Sequence, residues 1–201
     1  MAVLTKADFR ACFGKSTSGK STLARSWIAQ ARRVIIFDPN GEPDWAAGAD
    51  VTSDPAELVA LAGRKGRSRI CWRGVMTGGV EAFEWGNRCA WAGEDYWVVW
   101  DEVERFCVNS QFPPVADKLV QAGRHRGCRI IACTRRPKRM PIIFRSLATR
   151  MAVFRMTAPE DINFFVDMMG RELADQLPML RDYHAIDWTE TGASIKKSPF
   201  R

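Results

Sequence analysis

Phe9-Arg10-Ala11-Cys12-Phe13 runs directly into Gly14-Lys15-Ser16-Thr17-Ser18-Gly19-Lys20-Ser21-Thr22. A short apolar run is followed by a turn of small polar residues and then by helix formers. Residues 14–21 satisfy G-x-x-x-x-G-K-[ST] at every fixed position. The glycines let the backbone curl until successive N–H groups point inward. A helix starting near Lys20 aims its positive end at the same concavity. That arrangement takes phosphate. Lys20 reaches the β and γ phosphates as a point charge, and the Ser21 hydroxyl ligates Mg²⁺. The stretch therefore predicts a site for ATP and Mg²⁺ built from Gly14, Lys15, Ser16, Thr17, Ser18, Gly19, Lys20, Ser21 and Thr22. Lys15 equally fits a solvated loop lysine.

Outward from this loop, short apolar runs alternate with amphipathic or Gly-bounded stretches, the pattern of a mostly parallel sheet flanked by helices. Strands are expected over residues 9–13, 34–38, 69–73, 96–101, 129–134 and 151–154, several of them continuous apolar runs as strands buried on both faces are. Helices are expected over 20–31, 55–62, 79–91, 115–122 and 159–168, and a loop between 103 and 114. Near the C-terminus, 183–188 and 193–197 flank Glu190-Thr191-Gly192, which predicts a terminal β-hairpin. The chain reads as one α/β domain over 1–201, with a core from about 7 to 178 and a hairpin extension over 179–201. Its 201 residues suffice to bury a core.

Asp95-Tyr96-Trp97-Val98-Val99-Trp100-Asp101-Glu102 is an apolar strand ending in two carboxylates. In an open α/β sheet the carboxyl end of such a strand lies beside the phosphate loop. Asp101 is then the second Mg²⁺ ligand and Glu102 the general base that polarises the attacking water. Glu104 reads as a surface residue. Asp38 ends another strand, but Asp38-Pro39-Asn40-Gly41 is explained by a turn.

Charge is unevenly spread. The chain has 30 Lys and Arg against 23 Asp and Glu, a formal net charge of +7. Between Lys118 and Arg155 lie eleven basic residues and no acidic one; removing those eleven leaves 19 basic residues against 23 acidic. A localised positive field points to a polyanionic partner. Arg135, Arg136, Lys138 and Arg139 are the candidate phosphate-backbone contacts, although Lys138 and Arg139 also suit a solvated face. No aromatic residue interleaves over 123–140, so base stacking gains no support. The six cysteines form no C-x-x-C pair, against a zinc ribbon or disulfide framework; Cys12, Cys71, Cys128 and Cys133 lie in apolar runs and read as buried thiols. No run approaches the length of a bilayer span, and the N-terminal residues lack a signal-peptide pattern.

Four features in order carry a family resemblance: the phosphate loop; the strand ending Trp100-Asp101-Glu102; Gly123-Arg124-His125-Arg126-Gly127 before a strand ending Ala132-Cys133-Thr134-Arg135-Arg136-Pro137; and Pro141-Ile142-Ile143-Phe144-Arg145 leading to the strand over 151–154. The chain resembles the FtsK–HerA superfamily of DNA-pumping ATPases, and within it the genome-packaging ATPases of tailless, membrane-containing icosahedral viruses. The resemblance covers about residues 9–168. It implies a RecA/FtsK–HerA-like fold and a homo-oligomeric ring, hexamer or pentamer, threading double-stranded DNA into a preformed capsid. It also implies capsid or portal-vertex partners, no membrane anchor, and a location in the host cytoplasm or at a capsid vertex. Arg124 matches the position of a finger acting on a neighbour's ATP, with Arg126 second. Family members usually carry Gln after the strand-ending Thr as a γ-phosphate sensor; here that position is Arg135, so either Thr134 takes over the polar contact or Arg135 itself touches phosphate. Two other readings stay open from the residues alone: a P-loop kinase of a small acceptor, whose arginine-rich lid 134–145 could imitate, and a DNA-binding or assembly protein that uses ATP as a switch.

Overall fold

The computed structural model describes residues 8–200, with Arg145 described by its backbone alone. The ends of the expected domain, including its core boundary at residue 7, lie outside the described residues. In chain order the first half comprises β1 (Phe9–Phe13), α1 (Lys20–Trp27), β2 (Arg33–Phe37), α2 (Pro43–Ala46), β3 (Asp50–Thr52), α3 (Pro55–Ala62), β4 (Ser68–Trp72), α4 (Val75–Gly93) and β5 (Trp97–Trp100). The second half adds α5 (Pro114–Ala122), β6 (Arg129–Thr134), α6 (Ile142–Leu147), β7 (Arg150–Phe154), α7 (Pro159–Met169), α8 (Arg171–Ala174), β8 (His184–Thr189) and β9 (Gly192–Lys197).

The nine strands among the described residues join one sheet in the order β3-β4-β2-β5-β6-β1-β7-β8-β9. The first seven positions pair in parallel; β8 and β9 are antiparallel to their neighbours. The fold is thus the expected α/β, P-loop NTPase-like sheet with a C-terminal hairpin. Alternation along the strands divides two apolar layers. On one face Phe13, Phe37, Val98, Trp100 and Ala132 pack against α3–α7. On the other, Cys12, Ile36, Val99, Ile131 and Cys133 meet Leu23, Ala24, Trp27 and Ile28, with Trp45 beside them. Phe83 of α4 stacks on Phe106 at 4.5 Å and meets Phe37 edge-on at 5.3 Å, and Phe144 of α6 abuts Phe9 and Phe13. These aromatic contacts pack α4 and α6 onto β1 and β2.

Register decides which side chains meet. Phe13 at the end of β1 sits opposite Thr134 at the end of β6, and Trp100 at the end of β5 sits opposite Ala132. The strand carrying the phosphate loop and the strand carrying Asp101 are therefore separated by one strand, β6, whose last residues protrude between them.

Several boundaries differ from the sequence reading. Helix α1 stops at Trp27, because the Ile28 backbone leaves the helical region at φ −97°, ψ 5°, and the remaining residues turn the chain into β2. Helix α4 begins at Val75, four residues before the expected start: Gly79 is non-helical (φ 52°, ψ −132°) and kinks it, so only its second part showed a helical period. β3, α2, α6 and α8 are too short for periodicity to register. The expected loop over 103–114 holds a 3₁₀ turn at Val103–Arg105 and a bridge between Val108 and Gln111. All six cysteines are free thiols, and Cys12, Cys71, Cys89, Cys128 and Cys133 are buried. No helix among the described residues is long and apolar enough to cross a membrane.

The hairpin is fixed by charge as well as by strand pairing. Asp187 of β8 is buried and accepts from Arg150 Nε at 2.7 Å, Arg150 Nη2 at 2.9 Å and Lys196 Nζ at 2.7 Å. Burial alone would push this carboxyl up; the hydrogen bonds from Arg150 and Lys196 outweigh it and hold it below the ordinary carboxylate range. A depressed carboxylate contributes stability above its unfolded value and loses it as pH falls through the folded one. Asp187→Ala is expected to cost about 3 kcal/mol at pH 7, and to remove part of the acid sensitivity below pH ~4. Urea titrations across pH check both.

Candidate active site

The phosphate loop follows from β1 with little freedom. The Gly14 N–H donates to Thr134 O at 3.2 Å, tying the loop's first residue to β6. A Cβ on Gly14 would lie 2.6 Å from Ser18 Oγ and 2.8 Å from Phe154 Cβ, so only glycine fits there. Gly19, at φ 104°, turns the chain into α1, whose first turn carries no acidic residue and no side-chain cap. Its N-terminal amides are left for an anion. Lys20 is 6% exposed, and its ammonium donates to Gly14 O and Lys15 O, both at 2.8 Å. Burial lowers its proton affinity; Cys133 and Asp101 oppose this, and Arg135 adds to it. Ser18 Oγ is buried and makes no hydrogen bond. Lys15 is exposed and reaches Thr157 Oγ1 at 3.0 Å.

Two carboxylates face this loop from β5. Asp101 is 2% exposed, accepts from Trp45 Nε1 at 2.8 Å, and takes the Glu102 N–H on its other oxygen at 3.1 Å. Burial pushes its pKa up to about 6; Glu42 and Asp38 push the same way, and the Trp45 hydrogen bond and Lys20 oppose them. Glu102 is 9% exposed and sits in the left-handed region at φ 45°, ψ 45°, so the chain reverses as soon as the strand ends. Its carboxylate pairs with Arg135 on one oxygen and lies 3.6 Å from Arg105 Nη1 on the other. Asp38 serves its turn: fully buried, it accepts from Arg73 Nε at 3.0 Å and from the Asn40 and Glu42 N–H groups.

Between the two strands, β6 delivers Thr134 and Arg135. Thr134 is fully buried, and its hydroxyl accepts from the Arg136 N–H at 3.0 Å. Arg135, read from sequence both as a nucleic-acid contact and as a phosphate contact, turns its guanidinium toward Glu102. Glu104 corrects the surface reading: half-buried, it accepts the Arg135 N–H at 3.0 Å and so anchors the end of β6. Arg136, Lys138 and Arg139 are exposed. Arg136, Lys138 and Lys15 all bear on the carboxyl of Asp161, which burial foremost pushes up and these three cations pull back. The phosphate loop and the outward-facing cations thus occupy one side of the molecule.

Arg124 and Arg126 lie elsewhere. Their turn, Gly123–Arg126, precedes β6, whereas the loop lies beyond its other end. Six residues of strand span about 20 Å. Neither arginine reaches the phosphate loop of its own chain. Arg126 pairs with Glu94 at 2.8 Å and donates to Trp91 O at 3.3 Å; Arg124 is exposed next to His125.

Ser21 and Asp101 offer a hydroxyl and a carboxylate, the hard oxygen donors that Mg²⁺ accepts alongside water, and the residues present therefore fit the metal. A cavity of about 280 Å³ continues from Lys15–Ser18 along Phe154, Arg155 and Thr157 to Arg181, Tyr183 and His184. Sequence reasoning missed this second wall, and it missed Trp45. The wall joins the end of β7 to the start of β8, and that pairing was not predictable from either strand alone.

By sequence the chain matches no protein-family model and no curated protein. By structure it is similar to the genome packaging NTPase B204 from Sulfolobus turreted icosahedral virus 2 in complex with ATP-gammaS, with a TM-score of 0.77 and 18% identity over 96% of this chain and 98% of that one. The DNA-packaging ATPase B204 from Sulfolobus turreted icosahedral virus gives a TM-score of 0.74 and 20% identity over 96% and 98%. VirB4 of Thermoanaerobacter pseudethanolicus gives 0.65 and 12% over 94% and 88%. At these identities the likeness is one of fold. The resemblance to FtsK–HerA-type packaging ATPases read from the motifs holds at that level.

A carboxyl whose folded pKa is raised contributes stability below its unfolded pKa and loses it as pH rises through the folded one. In nucleotide-free protein kept in EDTA, Asp101→Asn is therefore expected to add about 2–3 kcal/mol at pH 8 and to flatten the pH dependence of stability between about 4 and 6. Unfolding titrations of both proteins at pH 4.5 and 8 measure it.

Proposed function

We propose that this chain is a single-domain ATPase whose hydrolysis drives double-stranded DNA through a ring of identical subunits, packaging a viral genome into a preformed capsid. The observation that carries the reading is the convergence of the phosphate loop with the buried Asp101 and Glu102 across β6. In that arrangement the loop amides and Lys20 bind the phosphates, and Thr134 offers a hydroxyl between them. Glu102 takes a proton from the attacking water as the water oxygen bonds to the terminal phosphorus and the bridging P–O bond breaks, with the diphosphate leaving. Ser21 and Asp101 would hold Mg²⁺, which when bound neutralises charge on the phosphate oxygens.

The position of Arg124 supports the ring. An exposed arginine at the far end of β6 cannot serve its own site, so a finger role requires a neighbouring subunit, in a hexamer or a pentamer. Arg126, paired with Glu94, is the weaker candidate. DNA is assigned to Arg136, Lys138 and Arg139, which read backbone phosphate and not base edges. The structural neighbours named as packaging enzymes support the viral task, with a location in the host cytoplasm or at a capsid or portal vertex.

Duplex DNA is expected to raise phosphate release, and this stimulation should fall steeply between about 50 and 200 mM salt as contacts to the backbone release counterions. Glu102→Gln should keep ATP binding and stop phosphate release under the same conditions. A DNA-independent, salt-insensitive rate that needs a small acceptor would move the assignment to a kinase. Arg124→Ala is expected to cut turnover by roughly a thousandfold in the assembled ring. Mixing it with Lys20→Ala subunits should restore part of the rate, since one partner supplies an intact site and the other an intact finger. A mixture as inactive as either variant alone overturns action in trans.

A further inference from the structure

Trp45 is 1% exposed, and its indole Nε1 donates to Asp101 Oδ2 at 2.8 Å. The other carboxylate oxygen takes the Glu102 N–H at 3.1 Å. A carboxylate hangs on a broad, roughly two-fold torsion, so nothing within Asp101 fixes the plane of its oxygens. Donors on both oxygens fix it. An indole suits this task because its nitrogen only donates and holds no lone pair for a metal. Each oxygen of the carboxylate keeps a further acceptor position for a cation or its water.

The support of Trp45 is built from the turn after β2. Glu42 precedes α2; its N–H donates to Asp38 Oδ1 at 3.0 Å, and its carbonyl accepts from Arg73 Nη2 at 3.3 Å and from the Trp45 N–H at 3.1 Å. Asp38 is held in turn by Arg73 Nε at 3.0 Å. Pro43 stiffens the first turn of α2. The indole belongs to the same apolar layer as Leu23, Ala24 and Trp27 of α1. Beside it, Asp44 pairs with Arg25 Nη2 at 2.8 Å, and Arg25 lies four residues after Ser21, one turn further along the same face of α1. The Asp44 side chain is mostly exposed, so that ion pair adds little, and the buried indole makes the stronger link. One short helix thus joins the strand end that bears Asp101 to the helix that bears Ser21.

We propose that Trp45 is a positioning residue for the metal site: it locks the Asp101 carboxylate and, through α2, sets it against the helix that carries Ser21. The proposal rests on the reading of Ser21 and Asp101 as the Mg²⁺ donors. It also assigns the buried Asp38–Arg73 pair to the support of that lock and not to the ligand set. Partners that orient a metal ligand are worth about ten- to hundredfold in metal affinity.

The test is binding of ATP-gammaS to the full chain, measured by calorimetry with Mg²⁺ and in EDTA, for the wild type, Trp45→Phe, Asp101→Asn and the double variant. The gain in affinity that Mg²⁺ gives the wild type is expected to fall about tenfold in Trp45→Phe, while the affinity in EDTA stays unchanged. In the Asp101→Asn background, where the gain is already lost, Trp45→Phe should change nothing further. Trp27→Phe is the comparison. It removes another indole from the same layer, one whose Nε1 donates to Phe200 O at 3.1 Å, and should keep the full gain. Equal losses with Mg²⁺ and in EDTA, an unchanged gain, or the same loss in Trp27→Phe overturn the proposal and leave Trp45 a packing residue. If Trp45→Phe does not fold, Trp45→Met, which fills the space without a donor, is read by the same criteria. Asp101→Asn separates the levels. If it loses the gain and Trp45→Phe keeps it, the role of Trp45 alone fails; if Asp101→Asn keeps the gain, the metal reading itself is wrong.

Discussion

A buried ammonium and a buried carboxyl, each short of its natural counter-ion, set the character of this molecule. Lys20 is folded back onto the carbonyls of its own loop, and burial lowers its hold on a proton. Asp101, a few side chains away in the same field, is pushed up to about 6 by the same desolvation. Neither charge is comfortable, since removing an ion from water costs several kcal/mol unless a partner replaces the solvent. Under the proposed function a magnesium–triphosphate complex would supply both partners together, phosphate oxygens for the lysine and a dication for the aspartate. On this account ligand binding relieves a cost that folding built in, and the rest of the sheet exists to keep the two groups buried side by side.

The parallel register does that work. Because β1, β6 and β5 run the same way, their carboxyl ends gather the phosphate loop, Thr134–Arg135 and Asp101–Glu102 at one edge. The same geometry sends the turn before β6 to the opposite edge, carrying Arg124 and Arg126 with it. One strand therefore contributes to two different places: its end to its own site, its beginning to a surface that another subunit could face. The antiparallel hairpin closes the row of strands through the Asp187–Arg150–Lys196 network and brings Arg181, Tyr183 and His184 beside the loop.

Much of this was legible in the residues. Strand–loop–helix around Gly14–Ser21 carries its own chemistry, and the apolar run to Asp101-Glu102 marks a buried strand ending in acids. The parallel sheet followed from apolar runs alternating with helical stretches, and the hairpin from its turn. Pairings distant in sequence were not legible. Nothing local joins Trp45 to Asp101, 56 residues later, or Glu104 to the backbone of Arg135. Arg135 had two readings, a DNA contact from its basic run and a phosphate contact from its place after Thr134, and its side chain turns toward Glu102 at the end of β6. Short elements such as β3 and α2 lacked the length for a period, and the kink at Gly79 hid the first turn of α4.

The most direct measurement is a crystal structure of the protein soaked with Mg²⁺ and ATP-gammaS. The account predicts the triphosphate in the Gly14–Ser21 loop with its terminal phosphate on Lys20, and the metal between Ser21 and Asp101. A well-ordered nucleotide bound elsewhere, with Lys20 still folded onto Gly14 O and Lys15 O, would contradict it.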